Sequence, residues 1–392
     1  MRFDFIPFFN SGENLPWDRI IAMMREQTRI AEEADFTTVW LTEHHFAHNG
    51  YLNATPNPIL MGADLAAHSK RIRVGQAPVV LPDWHPLRVA EDVAMLDNMT
   101  GGRVDFGVAK GINERATIQF NIEADRRDNE KSYALFREQL EIILKAWTED
   151  PFRFKGKFYE FPVPGWKETN RFFQPLDRIY HAEDGEFTGM YVHPRPYQKP
   201  HPPVWLMSNA PHSFQFAGSA GFNVISISSP PGKLKSCWLP YQEAASSSRS
   251  RKLALGDGVG VCTAIYLADS MEKAADTIRP AINGYYEFLS GSRPAGEWQR
   301  QAYLDEGEEL SGDDRDADWF DFLQDHGIVW VGTADYVAEK IERSREEVNL
   351  DHLMLLQQYP GVPYEKIRAS MVMFAEKVLP RFGTTSRLAS KG

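Results

Sequence analysis

Short apolar runs alternate with longer helix-period stretches along most of this chain, and that alternation limits the fold more than any other feature. The runs are Phe3 to Pro7, Thr38 to Leu41, Ile72 to Leu81, Val104 to Val108, Val204 to Met207, Asn223 to Ile227, Gly258 to Leu267 and His352 to Leu356. Several are β-branched or aromatic, as buried parallel strands are. Between them, Ile20, Met23, Met24, Gln27, Ile30 and Ala34 recur at the helix period. Phe136, Leu140, Ile143 and Trp147 form a second apolar stripe. Both read as packing faces. Asp269 precedes a helical run from Met271 and is placed to cap it. Eight strands with intervening helices indicate an α/β fold, and the count favours a (β/α)8 TIM barrel. A doubly wound sheet would carry the same alternation, so periodicity leaves both open.

Two stretches break the rhythm. Residues 149–203 carry nine prolines from Pro151 to Pro203 and no helix pattern. That is too long for a plain connector and suggests a small excursion with short strands at Phe152 to Phe154 and Lys157 to Phe161. Residues 290–325 are polar and rich in Gly, Asp and Glu, and read either as a lid or as a solvated insertion. The expected organisation is one barrel domain over 1–383 with these two insertions, followed by a disordered tail at 384–392.

The chain has 392 residues, enough for one barrel with a large core. A net charge of -11 disfavours nucleic acid and anionic membrane surfaces as partners. No run of 18 apolar residues occurs, so no membrane span is expected. Only two cysteines, Cys237 and Cys262, and no signal-peptide pattern point to a reducing, cytoplasmic setting.

In a barrel, functional residues follow the C-terminal ends of strands. After the second run come Glu43, His44, His45, Phe46 and His48. His44 and His48 stand four apart, but the segment leaves a strand and enters a loop, so the helical geometry of a metal pair fails and no metal is expected. An imidazole beside a carboxylate suits acid–base work instead. Position favours that role for His44, while His45 and His48 read as satisfying backbone groups. After the third run, Pro78 interrupts apolar residues where it removes a ladder donor. A cis bond from Ala77 would suit a distorted strand end, although trans is the commoner state. After the fourth run, Lys110 follows Ala109 and suits an anionic ligand, but spacing alone reads it as a surface lysine. After the fifth, Ser208, Asn209, Ala210 and Ser213 open a helix whose free N–H groups favour an anion. With Lys110, they make a phosphate site the better reading.

No dinucleotide fingerprint appears: the glycines of Gly256-Asp257-Gly258-Val259-Gly260 are wrongly spaced. Asp314, Asp316 and Asp318 suggest a calcium loop, but Trp319 occupies its required glycine.

Taken together, Trp40-Leu41-Thr42-Glu43-His44-His45-Phe46, Val79-Val80-Leu81-Pro82 with His85-Pro86, Gly102-Arg103 and Phe106-Gly107-Val108-Ala109-Lys110-Gly111 resemble the α-subunit of bacterial luciferase. The match is ordered through about residue 147 and resumes from Val204 to Gly221. The resemblance implies a (β/α)8 barrel, a homodimer, and a two-component, flavin-dependent monooxygenase. Reduced FMN, supplied by a separate flavin reductase, would form a peroxyflavin with O2 and oxygenate a small apolar substrate. It implies His44 as the catalytic residue. It places Ala77 and Pro78, where relatives carry a cis peptide, against the flavin ring, and so raises the cis reading above trans. Ala109, Lys110, Ser208, Asn209, Ala210 and Ser213 fall on the cofactor site. Luciferase has an arginine at the position of Lys110 and a glutamate at that of Asn209. The exchange at Lys110 keeps the charge and loses the bidentate fork. Phe8, Phe46, Trp84 and Tyr359 are candidates for the apolar substrate pocket. Hydride transfer with deazaflavin F420, as in other members of the superfamily, and a non-catalytic FMN-binding paralogue are the alternatives. Neither light emission nor the substrate follows from the resemblance.

Overall fold

The structure, a computed structural model, describes residues 1–7, 15–46, 55–112, 114–292, 299–357 and 359–383. Phe8, His48 and the tail from Thr384 lie outside the described residues. Eight parallel strands follow the chain: β1 (Arg2–Ile6), β2 (Thr38–Leu41), β3 (Arg73–Gln76), β4 (Val104–Ala109), β5 (Val204–Met207), β6 (Asn223–Ile227), β7 (Val259–Leu267) and β8 (His352–Leu356). They are the strand set of a (β/α)8 barrel. Four of the intervening helices bear on the site: α1 (Trp17–Glu33), α2 (Asn129–Thr148), α3 (Pro211–Ser219) and α4 (Met271–Ser292). The chain divides into two compact units, residues 1–78 with 204–392, and residues 79–203. Among the described residues no helix is long and apolar enough to cross a membrane.

Within the first unit the strands pair in parallel in the order β5, β6, β7, β8, β1, β2, β3. A further strand, Val329–Gly332, pairs with the end of β7, Ala264 against Val329; the sequence reading did not include it. Alternate side chains meet in one buried cluster of Ile6, Trp40, Ala77, Trp205, Ile225 and Met354, with Met207, Cys262 and Leu356 packed against it. Trp40 is fully buried because its register partner is Gly75, where a Cβ would stand 2.3 Å from the indole. Burying an indole removes roughly 200 Å² from water, worth about 5 kcal/mol. The thiol of Cys262 is pushed up to about 12 by burial, so it is an inert packing group.

At the N-terminal ends of these strands the interior turns polar. Asp4 is fully buried. Its carboxylate accepts from Trp40 Nε1 at 2.7 Å, Arg2 Nε at 3.0 Å and the Thr38 main-chain N–H at 3.2 Å, and it pairs with His352 Nε2 at 2.7 Å. Burial by itself would raise this carboxyl. The charges of His352 and Arg2 and their hydrogen bonds outweigh it, and the pKa falls from 3.8 to about 2.

Helix α1 buries Ile20, Met23, Met24, Gln27 and Ile30, the face its periodicity predicts. At the start of α4 the Ser270 hydroxyl accepts from the Lys273 N–H at 3.2 Å. The cap is therefore Ser270 and not Asp269, which stands one residue too early to reach the first turn. The polar stretch 290–325 is also not a solvated insertion throughout. Helix α4 runs on to Ser292, and Tyr303, Leu304, Phe320, Phe322 and Leu323 are buried in a second apolar cluster with Ile278, Ile282 and Tyr286.

In the second unit, Val79–Val80 pairs in parallel with the end of β4. The expected strand from Ile72 to Leu81 is thus broken: β3 stops at Gln76, the Ala77–Pro78 bond is cis, and a 3-10 turn begins at Leu81. Proline cannot donate to the ladder, so pairing stops there. Helix α2 turns Phe136, Leu140, Ile143 and Trp147 inward. The Trp147 indole donates to the Ala90 carbonyl at 2.8 Å and meets Phe106 edge-on at 5.2 Å.

The proline-rich excursion hangs from α2 by polar anchors. The Glu138 carboxylate accepts the main-chain N–H groups of Lys157, Phe158 and Tyr159, each at 2.8 Å. This holds the antiparallel pair Phe154–Lys155 and Glu160–Phe161. A Cβ at Gly156 would lie 2.4 Å from the same carboxylate, which would have to shift and loosen these bonds. The Arg195 guanidinium closes the return by donating to the carbonyls of Ala146 and Glu149, terminal acceptors of α2.

Candidate active site

The C-terminal ends of β2 and β3 are tied together. The Ala77 N–H donates to the Leu41 carbonyl at 2.7 Å. This sets the cis Ala77–Pro78 corner beside the segment that carries Thr42, Glu43, His44 and His45. Beneath the corner lies the apolar cluster of Ile6, Ile225 and Met354. A flat apolar group could rest there against Ala77.

His45 does not merely satisfy the backbone. Its Nε2 lies 2.7 Å from Glu43 Oε1, with the Glu43 side chain wholly buried and the His45 ring 12% exposed. An ionised carboxylate only accepts, so Nε2 carries a proton and the tautomer is set. An imidazole held this way by a buried carboxylate has the geometry that acid–base chemistry needs. Two-residue spacing shares a face only while the backbone stays extended, and residues 42–45 are irregular, so the spacing by itself does not announce the pair. His44, the residue singled out from the sequence, is half-buried, and its main-chain N–H donates to the Thr55 carbonyl at 3.1 Å. Phe46, at a φ of +63°, is 50% exposed.

At the end of β5, Ser208, Asn209 and Ala210 lead into α3. The Ser208 Oγ accepts from the Ala210 N–H at 3.1 Å. The Asn209 amide is taken up by Ile227, accepting from its N–H at 2.8 Å and lying 3.5 Å from its carbonyl. Its side chain therefore links the ends of β5 and β6. Ser213 is buried in the first turn of α3, and Ala210, at the cap, makes no side-chain cap bond. Pro211 has no N–H and the Ser213 N–H donates to the Ala210 carbonyl at 2.9 Å, so what the opening turn brings toward an anion is chiefly the helix dipole. Tyr359 is 2% exposed and packs edge-on against Tyr285 at 5.6 Å, inside the second apolar cluster. Burial holds its hydroxyl well above the ordinary range.

In the second unit, half-buried Lys110 donates to the Asn129 Oδ1 at the start of α2, and its ammonium lies 5.7 Å from the Tyr133 ring centroid. Nothing in the sequence announces Asn129, 19 residues away. The Gly111 backbone, at a φ of +86°, lies so close to Val80 that a Cβ would approach it to 2.7 Å. Half-buried Trp84 accepts at its carbonyl from Gln139 at 2.9 Å. His85 meets Tyr159 and Phe161 edge-on at 5.8 and 5.7 Å. Its burial lowers its pKa, with Glu91 opposing.

Within the first unit, the apolar corner suits the ring of a flavin mononucleotide and the opening of α3 suits a phosphate; within the second, the Lys110 ammonium is a cation of the kind a phosphate takes. The chain is 30% identical over 201 residues to the oxygenase component of flavin-dependent trigonelline monooxygenase from Acinetobacter baylyi, covering 51% of this chain and 47% of that protein. It is 31% identical over 197 residues to the alkanal monooxygenase alpha chain of Photorhabdus laumondii subsp. laumondii, covering 50% and 45%. These matches span about half the length of each relative. Among solved structures, monooxygenase RslO1 from Streptomyces bottropensis superposes with a TM-score of 0.75 at 24% identity, covering 97% of this chain and all of that one. The oxygenating constituent of 3,6-diketocamphane monooxygenase from Pseudomonas putida, in complex with FMN, gives 0.74 at 22%, covering 97% and 98%. The coenzyme F420-dependent tetrahydromethanopterin reductase of Methanopyrus kandleri gives 0.60 at 17%, covering 97% and 98%. These likenesses are of fold. The family model for luciferase-like monooxygenases matches residues 1–352, and the chain belongs to that family.

Proposed function

We propose that this chain is the oxygenase component of a two-component system that uses reduced FMN and O2 to oxygenate a small, apolar organic substrate. Bound reduced flavin would supply the oxygen chemistry. The observation that carries the reading is the Glu43–His45 pair beside the cis Ala77–Pro78 corner. It joins a proton-handling group to an apolar rest for a ring. Glu43 fixes the His45 tautomer, and His45, with His44 next to it, moves protons at the reacting centre. Ala77 and Pro78 seat the ring. Ser208, Ala210 and Ser213 form the helix-opening segment that faces the phosphate, with Asn209 holding it in place. Ala109 and Lys110 are the residues of the second unit that the family pattern assigns to the same cofactor. The apolar side chains beneath Ala77 keep water from the ring. A separate reductase supplies the reduced flavin, since no dinucleotide-binding fingerprint is present. The family pattern also suggests a homodimer.

F420-dependent hydride transfer is the competing chemistry on this fold. The two separate in one experiment, anaerobic titration of the full chain with reduced FMN and with reduced F420, followed by oxygen-uptake measurement. Tighter binding of reduced FMN with altered oxygen uptake is expected. Preference for F420 without any effect on oxygen uptake overturns the proposal.

A further inference from the structure

A cavity of about 310 Å³ opens in the first unit at the opposite, N-terminal ends of the strands, lined by Arg2, Trp205, Arg249, Asp257, Asp351 and His352 among others. Its size sits at the low end of small-molecule sites. Three of the residues that line the cavity carry nitrogen groups with unspent hydrogen-bonding capacity. Trp205 is 4% exposed, and its indole N–H has no hydrogen-bond partner among the described residues. Arg249 spends Nη2 on the carbonyls of Gly221 and Phe222, on Asn223 Oδ1 and on the Tyr241 hydroxyl. Its Nη1 and Nε make no hydrogen bond among the described residues. Nη1 lies over Gly258, 3.1 Å from where a Cβ would stand. His352 gives Nε2 to Asp4, and its Nδ1 faces the bare Cα of Gly260.

The polarity of these groups selects the ligand. Indole and guanidinium nitrogens only donate, so the missing partner is an acceptor. A buried donor left without one is costly, and a guanidinium fork matches oxyanions. The acidic residues do not fill this role. Asp257 accepts from the Ala254 N–H at 3.0 Å and Asp351 faces the N-terminal ammonium at 3.6 Å. Arg2 is engaged by Asp4 and Thr38.

We propose that this cavity is a binding site for a small oxyanion, a phosphate or a compact carboxylate, held by Arg249 and the Trp205 indole N–H and separate from the flavin chemistry. The test is a titration of the full chain at constant ionic strength with inorganic phosphate and, in a second arm, with citrate. The indole N–H resonances are followed by NMR. The proposal expects saturable binding in at least one arm, with a Kd below about 1 mM, that moves one indole resonance. The arm that saturates names the anion. Trp205→Phe keeps an aromatic ring and removes only the donor. It should abolish the moving resonance and weaken binding, read by calorimetry, about tenfold. Arg249→Gln should weaken it further, and because Arg249 also holds main-chain carbonyls, Trp205→Phe is the deciding variant. No saturation in either arm, or affinity unchanged in Trp205→Phe, overturns the site.

Discussion

Two acid–histidine pairs stand at opposite ends of neighbouring strands, one on β1 and β8 and one just past β2. Asp4 meets His352 at 2.7 Å at the N-terminal ends, and Glu43 meets His45 at 2.7 Å at the C-terminal end of β2. The distances are equal and both carboxylates are buried. Their settings differ. Asp4 is also gripped by Arg2, Trp40 and Thr38, each from a regular strand, so it is a fixed joint in the core. Glu43 and His45 sit on irregular backbone just past a strand end, beside the cis Ala77–Pro78 corner. Barrels place stability at the first end and chemistry at the second. The geometry of an acid–histidine pair alone therefore does not tell its role; its place along the strand does.

The comparison breaks most visibly on substitution. His45→Ala should lower turnover with reduced FMN about 10²–10⁴-fold and, although it takes one partner from the buried Glu43 carboxylate, cost less stability than Asp4→Ala. A large loss of stability with activity retained would reverse the two assignments. Asp4→Ala should do the opposite. It strands the partners of a buried carboxylate and should cost about 3 kcal/mol in chemical denaturation. The low end of the usual range applies, because Arg2 is partly exposed. Folded Asp4→Ala should turn over normally.

Lys110→Met tests the second unit. Losing a charge-assisted bond should weaken FMN by about 2 kcal/mol and leave riboflavin, which lacks the phosphate, unaffected. Equal losses for both would remove Lys110 from the phosphate.

Acid unfolding sharpens the comparison further. The pKa of Asp4 is depressed in the folded state, so its stabilisation is complete above 3.8 and is lost as pH falls toward about 2. Asp4→Asn should flatten that limb of a stability–pH curve. The smallest effect belongs to His85. Burial lowers its pKa, so its neutral form is favoured in the fold, and stability should decline as pH falls below 6.5. His85→Leu should remove that step.

Much of this was legible in the chain. β2, β5, β6 and β8 lie where their apolar runs end, because strands buried on both faces need continuous apolar residues. The break at Ala77–Pro78 was legible as a proline inside such a run. Val329–Gly332 is no shorter than β2 or β5, but it closely follows the polar 290–325 stretch and was passed over with it. The polar pairs depend on distance in space. Asp4 stands out as a charge between Phe3 and Phe5, but His352 lies 348 residues away. Nor does any local pattern say that Glu43 would turn to His45, or that Tyr359 would sink into a cluster with Tyr285 and Tyr286.

The most direct test is stopped-flow absorbance of protein-bound reduced FMN mixed with O2, run on the wild type, His45→Ala and Asp4→Asn. The account predicts that the wild type reoxidises its flavin more slowly than free reduced FMN and through a spectrally distinct species. His45→Ala should alter that trace and Asp4→Asn should not. A wild-type trace that matches free flavin, or one changed by Asp4→Asn and untouched by His45→Ala, would contradict it.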